Sequence, residues 1–238
     1  MVKEDRIKKI IKLYNSIVKN VDLQASSSVQ RAYGGIIRAK KGTLVEDIAK
    51  MLIVAAWEDL GGESDRLDFG KESEKLYIKD TYIEKINDNE IKKYLKANKE
   101  KFFYRSKSDV HCRIDEKPVL AVECKAYTEN AMLKRILVDF TLMKEIKHWN
   151  DIDCYLLQLE SQLGGDYSEI KDSNKTIGSP STRTLLSYFD IDLNIITLLK
   201  EDRKVDKPIH KPEFFKPLKR ENIIKAIKAL QKSLIQHV

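Results

Sequence analysis

Cysteine, proline and glycine are scarce in this chain of 238 residues, at 3, 5 and 9 respectively. The three cysteines, Cys112, Cys124 and Cys154, show no Cys-x-x-Cys spacing, which excludes a zinc set and a disulfide scaffold. They lie in apolar stretches and read as buried free thiols of a reducing cytoplasm. So little glycine and proline excludes collagen-like and low-complexity chains. No apolar run approaches the roughly 18 residues of a membrane span, and the opening MVKEDRIKKIIKLY lacks a secretory apolar core. These absences leave a soluble cytoplasmic globular protein with no membrane partner. At 42% hydrophobic residues the chain can bury a real core, and its length suits a single domain over 1–238.

Charge, by contrast, is plentiful: 44 Lys+Arg against 37 Asp+Glu, a formal net charge of +7. It is unevenly placed. Residues 1–50 hold 11 basic and 5 acidic side chains, residues 200–238 hold the same numbers, and residues 51–199 hold 22 and 27. Basic flanks around an acidic middle suit a polyanion gripped near a site where carboxylates act. Lysine-rich helices that merely keep a protein in solution give the same pattern.

Residues 3–19 carry Ile7, Ile10, Ile11, Tyr14, Ile17 and Val18 at helical spacing. The Ser- and Gly-containing stretch 23–43 reads as a connection, and a second helix is predicted from Thr43 to about Leu60, ended by Gly61-Gly62. Residues 63–100 are charged and weakly patterned, with a helix predicted near 88–98. Three short β-rich runs follow, FFYR, DVHCRI and VLAVEC, the last two joined by a turn at 115–118. Next come an amphipathic helix through Leu133, Ile136, Leu137 and Phe140, a strand at 153–160 and a polar loop region. A strand at 191–199 and a closing helix through Ile223, Ile227, Leu230 and Leu234 end the chain. Helices before a hairpin, then strand–helix–strand, predict a mixed α/β domain of the α+β kind.

The chemistry lies in SDVHCRIDEKPVLAVECKAYT. Side chains alternate along VLAVECK, so Glu123 and Lys125 share one face of the strand. If that strand pairs with DVHCRI, Asp109 approaches Glu123, and two carboxylates and an ammonium converge at a strand end. Such a group suits phosphodiester hydrolysis. Mg²⁺ is commonly held by one or two carboxylates, polarises a phosphate and helps ionise its bound water. The lysine can orient that water or stabilise developing charge. Glu-x-Lys itself occurs four times, but only Glu123/Lys125 ends an apolar strand with an aspartate one hairpin upstream and an amphipathic helix downstream. A half-exposed edge strand with surface charges is the plainer reading.

Asp109, followed thirteen residues on by Glu123-Cys124-Lys125 between two strands and before a helix, resembles the PD-(D/E)xK nuclease superfamily. In length and organisation the chain is most similar to its type II restriction endonucleases. The resemblance covers about 105–160, and Ser108 stands where the motif's name has proline. It implies a restriction-endonuclease-like central mixed β-sheet flanked by helices, with the core motif at about 100–160 and basic helical flanks at 1–60 and 200–238. It also implies Asp109 and Glu123 as metal ligands, Lys125 as the catalytic lysine and Mg²⁺ as cofactor. Family members often place a glutamate of an early helix beside the metal, which points to Glu46. Thr43-x-x-Glu46 also reads as a capping box, in which Glu46 only reaches back to the N-cap amide.

Candidate DNA contacts lie around this centre. Arg31, Arg38, Lys40 and Lys41 sit in a Gly-containing segment able to follow a phosphate backbone, giving affinity and salt dependence without sequence information. Asn130, Lys134 and Arg135 belong to the helix after the motif, which Thr128 can cap; a helical surface pair is the alternative for the two cations. Ser179, Ser181, Thr182 and Arg183 combine a guanine-gripping arginine with small hydroxyl donors that read base edges. The same residues also read as a turn capping a helix at 182–189. Lys207, His210 and Lys211 add phosphate contacts or form a basic surface, and His111 reads as a packed strand residue.

The expected protein is a Mg²⁺-dependent type II restriction endonuclease that hydrolyses double-stranded DNA at a short palindromic sequence. A homodimer is expected because two-fold symmetry supplies one active site per strand, and a cognate DNA methyltransferase would protect the host. A structure-specific nuclease of the same fold and a non-catalytic DNA-binding protein are the alternatives.

Overall fold

A computed structural model describes residues 3–26, 30–70, 73–164, 179–200 and 203–238. The first two helices, α1 (Glu4–Ser26) and α2 (Gln30–Asp59), pack against each other. Ile7, Ile10, Tyr14 and Val18 recur at three- and four-residue spacing on α1 and are buried. α2 departs from expectation. Residues 30–42 are helical, and Thr43 lies inside the helix, its hydroxyl donating to the Ala39 carbonyl at 3.2 Å. Gly35 and Gly42 each weaken a helix by about 1 kcal/mol relative to alanine. The following half of α2, however, buries Leu44, Val45, Ile48, Leu52 and Ile53, and packing of this kind carries most helical stability. Gly61 and Gly62 end the helix as expected. Gly61 takes φ 92°, its N–H donates to Glu58 O and that of Gly62 to Trp57 O, a Schellman motif.

The weakly patterned stretch holds β1 (Leu67–Gly70), β2 (Glu74–Tyr77), α3 (Asp80–Glu84) and α4 (Asn89–Ala97). Four-residue strands leave almost no period-2 signal, which is why neither was foreseen. The helix near 88–98 is α4, capped by Asp88, which accepts from the N–H groups of Glu90 and Ile91. β3 (Phe103–Ser106) pairs with β2 in a separate two-stranded sheet.

The central sheet has the order β1-β4-β5-β6-β7, where β4 is Val110–Ile114, β5 Lys117–Thr128, β6 Asp153–Ser161 and β7 Leu193–Thr197. β1, β4 and β5 run antiparallel; β5, β6 and β7 run parallel, with α5 (Asn130–Lys144) crossing from β5 to β6. α6 (Pro180–Ser187) and α7 (Arg220–Leu234) complete the helices. This is the mixed α+β sheet flanked by helices that the sequence implied. Alternation sends Leu120, Val122, Cys124, Tyr155 and Leu157 to one core with α1, α2 and α7. Ala121, Cys154 and Leu156 meet α5 and Trp149 on the other side. All three cysteines are buried and free. Among the described residues no helix is long and apolar enough to cross a membrane.

Two local features of the β4–β5 hairpin set the register. Asp115 and Glu116 turn the chain with φ 50° and 66°, so Ile114 pairs with Lys117 across a two-residue turn that needs left-handed backbone at both positions. Arg66 holds this turn, its carbonyl accepting from the Asp115 N–H and its guanidinium gripping the Asp115 carboxylate. Further along, Cys112 pairs with Leu120 but Arg113 with Pro118, which makes Val119 the extra residue of a β-bulge. The consequence is chemical. Past the bulge Val110 opposes Val122, and the next position brings Asp109 opposite Glu123. A regular ladder from the same turn would set Asp109 against Val122, on the wrong face.

Candidate active site

Asp109 stands just before β4, and Glu123 and Lys125 lie near the end of β5. Asp109 Oδ2 accepts from the Cys124 N–H at 2.7 Å and from the Lys125 ammonium at 2.8 Å. The same ammonium donates to Glu123 Oε2 at 2.6 Å. Glu123 keeps only 9% of its side chain exposed, against 31% for Asp109 and 29% for Lys125. Burial pushes the Glu123 carboxyl up to about 7, Lys125 opposing and Asp109 adding to the rise. Burial draws Lys125 down, but Glu123 and Asp109 outweigh it and hold its ammonium above the usual lysine range. Cys124 faces the opposite core, and burial pushes its thiol well up, so it is neutral and unreactive.

Glu46 on α2 joins this neighbourhood. Burial raises its carboxyl, and Asp109 is the next largest cause. The capping-box reading of Glu46 is overturned, because Thr43 is two turns and more inside α2 and starts no helix. Thr128 does not cap α5 either: the N-cap is Glu129, and the buried Thr128 hydroxyl has no hydrogen-bond partner among the described residues. His111 is a packed strand residue, as read. Its Nε2 accepts from the Ser108 N–H at 2.9 Å, its ring meets Trp149 at 4.4 Å, and burial lowers it to about 4.

The other candidates fall into groups. Asn130 donates to Ser181 Oγ at 3.1 Å and accepts from Thr182 Oγ1 at 2.6 Å. Ser179 caps α6 by accepting from the Thr182 N–H, so the turn-capping reading of SPSTR holds; Thr182 is fully buried and Arg183 exposed. On α5, Lys134 is exposed and Arg135 pairs with Asp139 one turn on. Lys41 is buried and meets His210 across 3.1 Å; Lys207 and Lys211 flank that histidine in the segment before α7. Arg31 and Arg38 belong to the backbone of α2, but their side chains lie outside the described ones. Lys40 is half-buried.

Sequence reasoning missed several neighbours. Gln158 of β6 lies opposite Lys125 and is fully buried; its Nε2 donates to Thr197, and its Oε1 has no hydrogen-bond partner among the described residues. A lone glutamine inside the apolar run DCYLLQLE was the available signal. Asp139 of α5 adds to the rise of Glu123, and its position on an amphipathic helix gave no sign of that.

Two carboxylates and a lysine are brought together by a β-hairpin just before the crossover helix, the arrangement that the sequence's resemblance to PD-(D/E)xK nucleases implies. Comparison with known proteins narrows it. The chain is 48% identical over 237 residues, spanning 97% of both chains, to the type II restriction enzyme DdeI of Desulfomicrobium norvegicum. It belongs to the type II restriction enzymes, site-specific deoxyribonucleases, which sets aside the non-catalytic DNA-binding reading. No protein-family model matches it. Among solved structures, the native BbvCI A2B2 tetramer at low resolution aligns over 97% of this chain and 87% of that one, at 10% identity and a TM-score of 0.36, too slight a likeness to say more.

Proposed function

We propose that the protein cuts duplex DNA at one short palindromic sequence, acting as a homodimer with Mg²⁺ held by Asp109 and Glu123. The observation that carries this reading is the convergence of both carboxylates on a single ammonium, at 2.8 and 2.6 Å. Among the described residues there is no group of three metal-binding side chains, and two carboxylates with water and a phosphate oxygen are a usual set for a hard ion. The donor chemistry fits. An acid that burial, with a second carboxylate adding, drives up to about 7 is one that a cation would relieve of its proton. Bound there, Mg²⁺ would supply Lewis acidity at the phosphate and a more acidic water.

The chain's own groups do the rest. Lys125, kept charged by its two carboxylates, stabilises negative charge that develops on the phosphate oxygens or orients the attacking water. Glu46 adds acidic charge beside Asp109. Lys40, Lys41, Lys134, Arg135, Lys207, His210 and Lys211, with Arg31 and Arg38, act on phosphates; Asn130, Ser179, Ser181 and Arg183 act in base readout, and the fully buried Thr182 holds Asn130 in place. A DNA methyltransferase of the same specificity protects the host.

Long, unmethylated duplex DNA incubated with Mg²⁺ tests this. The wild type is expected to leave discrete fragments on a gel, and none in EDTA. Lys125→Ala should lose about 10²–10³-fold in rate, and Asp109→Ala should be inactive. Wild-type cutting by either variant would refute the site assignment. Selective cutting of branched DNA would favour a structure-specific nuclease.

A further inference from the structure

Two residues beyond Lys125 on β5, the ring of Tyr127 is covered by the Arg203 guanidinium, 3.6 Å from its centroid. Arg203 is fixed at the end of β6: its backbone N–H donates to Ser161 O at 2.8 Å, and its Nη1 donates to Gln162 Oε1 at 2.6 Å. Lys41 reaches the same region from α2. Only 8% of Lys41 is exposed, and its ammonium meets His210 Nδ1 at 3.1 Å. Among the described residues no carboxylate stands at ion-pair distance from it. Glu160 of β6 acts on Lys41 from further off, and its own Oε1 lies 2.9 Å from the Lys216 ammonium.

A buried cation whose hydrogen-bond partner is a ring nitrogen and not a carboxylate is costly, because desolvation is not returned by an opposite charge. An anion entering beside it would repay that loss. Donation by Lys41 to Nδ1 also holds the imidazole in the tautomer whose proton is on Nε2, a second donor. Arg203 brings a planar fork matched to phosphate oxygens, pre-oriented by the tyrosine face. These groups are all donors and two of them are cations, so they suit an anion.

We propose that Arg203, His210 and Lys41 form a binding site for one backbone phosphate of the strand that passes Lys125. The inference rests on the nuclease reading of Asp109, Glu123 and Lys125, and adds the place where the substrate strand is gripped next to them. Tyr127 positions Arg203, and Glu160 with Lys216 positions the wall behind Lys41.

Among the described residues, the charged and titratable groups around Lys41 are Glu160 of β6, Arg203, His210 and Lys216 of the segment leading to α7, and Tyr14 of α1 beside Glu160. Burial lowers Lys41 to about 8, Glu160 opposing and Arg203 adding. Its charge is therefore present at pH 7 and lost as the pH rises through that value.

Binding of the full chain to long duplex DNA, in EDTA and across a salt series, tests the site. Lys41→Met and Arg203→Met are each expected to weaken binding about tenfold and to reduce the slope of log affinity against log salt by roughly one. Lys41→Arg should keep the slope at pH 7 and abolish the loss of affinity that the wild type shows toward pH 9. Thermal melts identify any variant that fails to fold, and the Lys41→Arg pH profile then decides alone. Unchanged affinity and slope in folded Lys41→Met and Arg203→Met, or a pH profile unmoved in Lys41→Arg, overturns the phosphate site. Cleavage assays run alongside keep the readings apart, since active Asp109→Ala would refute the nuclease centre and leave these binding data standing.

Discussion

Glu123 shows how one side chain carries both a cost and a use. It lies on an apolar strand, nearly enclosed, with Asp109 close by, so ionising it in place is unfavourable even with the Lys125 ammonium at 2.6 Å, and a metal cation would lower that cost. Because its folded value is raised to about 7 from 4.5, the native state holds a proton that the unfolded chain has released. The stability this group contributes is present below about pH 4.5 and is lost as the pH rises through 7. His111 has the opposite sign: with its value lowered from 6.5 to about 4, its contribution is present above 6.5 and lost as the pH falls through 4. The two trends oppose each other, so the informative comparison is between variants. Glu123→Gln is expected to melt higher than the wild type at pH 8 in EDTA, with the difference shrinking toward pH 5. Added Mg²⁺ should raise the melting temperature of the wild type at pH 8 and leave Glu123→Gln unmoved. A difference between the two proteins that does not change with pH would count against Glu123 as the raised group.

At the scale of elements, the hairpin is where local backbone geometry becomes chemistry. The bulge at Val119 and the turn at Asp115-Glu116 together decide that Asp109, and not its neighbour, opposes Glu123. Neither turn residue is glycine, and each holds a left-handed conformation that costs an L-residue about 1 kcal/mol or more. Asp115 recovers some of this through Arg66, while the Glu116 side chain makes no hydrogen bond or ion pair among the described residues. Glu116→Gly is therefore expected to stabilise the protein by roughly 0.5–1 kcal/mol, a rise of about 2 °C in melting temperature. Calorimetry reads this directly, and a fall in melting temperature would show that Glu116 makes up its strain elsewhere. α2 teaches a different lesson. Its first turns carry two glycines and little periodicity, yet the chain is helical there because the half that follows is anchored in the core.

At the scale of the whole molecule, one polypeptide presents one carboxylate pair, and cutting a duplex takes two strand scissions. A two-fold dimer would supply the second centre and match a palindromic site. Sedimentation at concentrations that linearise plasmid DNA is expected to give twice the 27.6 kDa of the chain. A 27.6 kDa species that cuts both strands in one binding event would count against the dimer. The charge distribution also acts at this scale. The basic flanks at 1–60 and 200–238 meet in the fold, since α1, α2 and α7 pack into one core, and Lys41 of the first flank touches His210 of the second.

What the sequence determined alone is the part governed by short-range order. The order of the main elements, the hairpin, the face shared by Glu123 and Lys125 and the nearness of Asp109 were all legible. They follow from strand alternation and from a connection of a few residues, which leave the chain little freedom to do otherwise. Tertiary structure alone decided the helical conformation of 30–42, the pairing of the four-residue strands β1 and β2, and the release of Glu46 from any capping role. It alone also set Lys41 against His210, 169 residues away, and Arg203 over Tyr127. Contacts of that range are chosen by the burial of whole helix and sheet faces, a sum over many residues that no local pattern encodes.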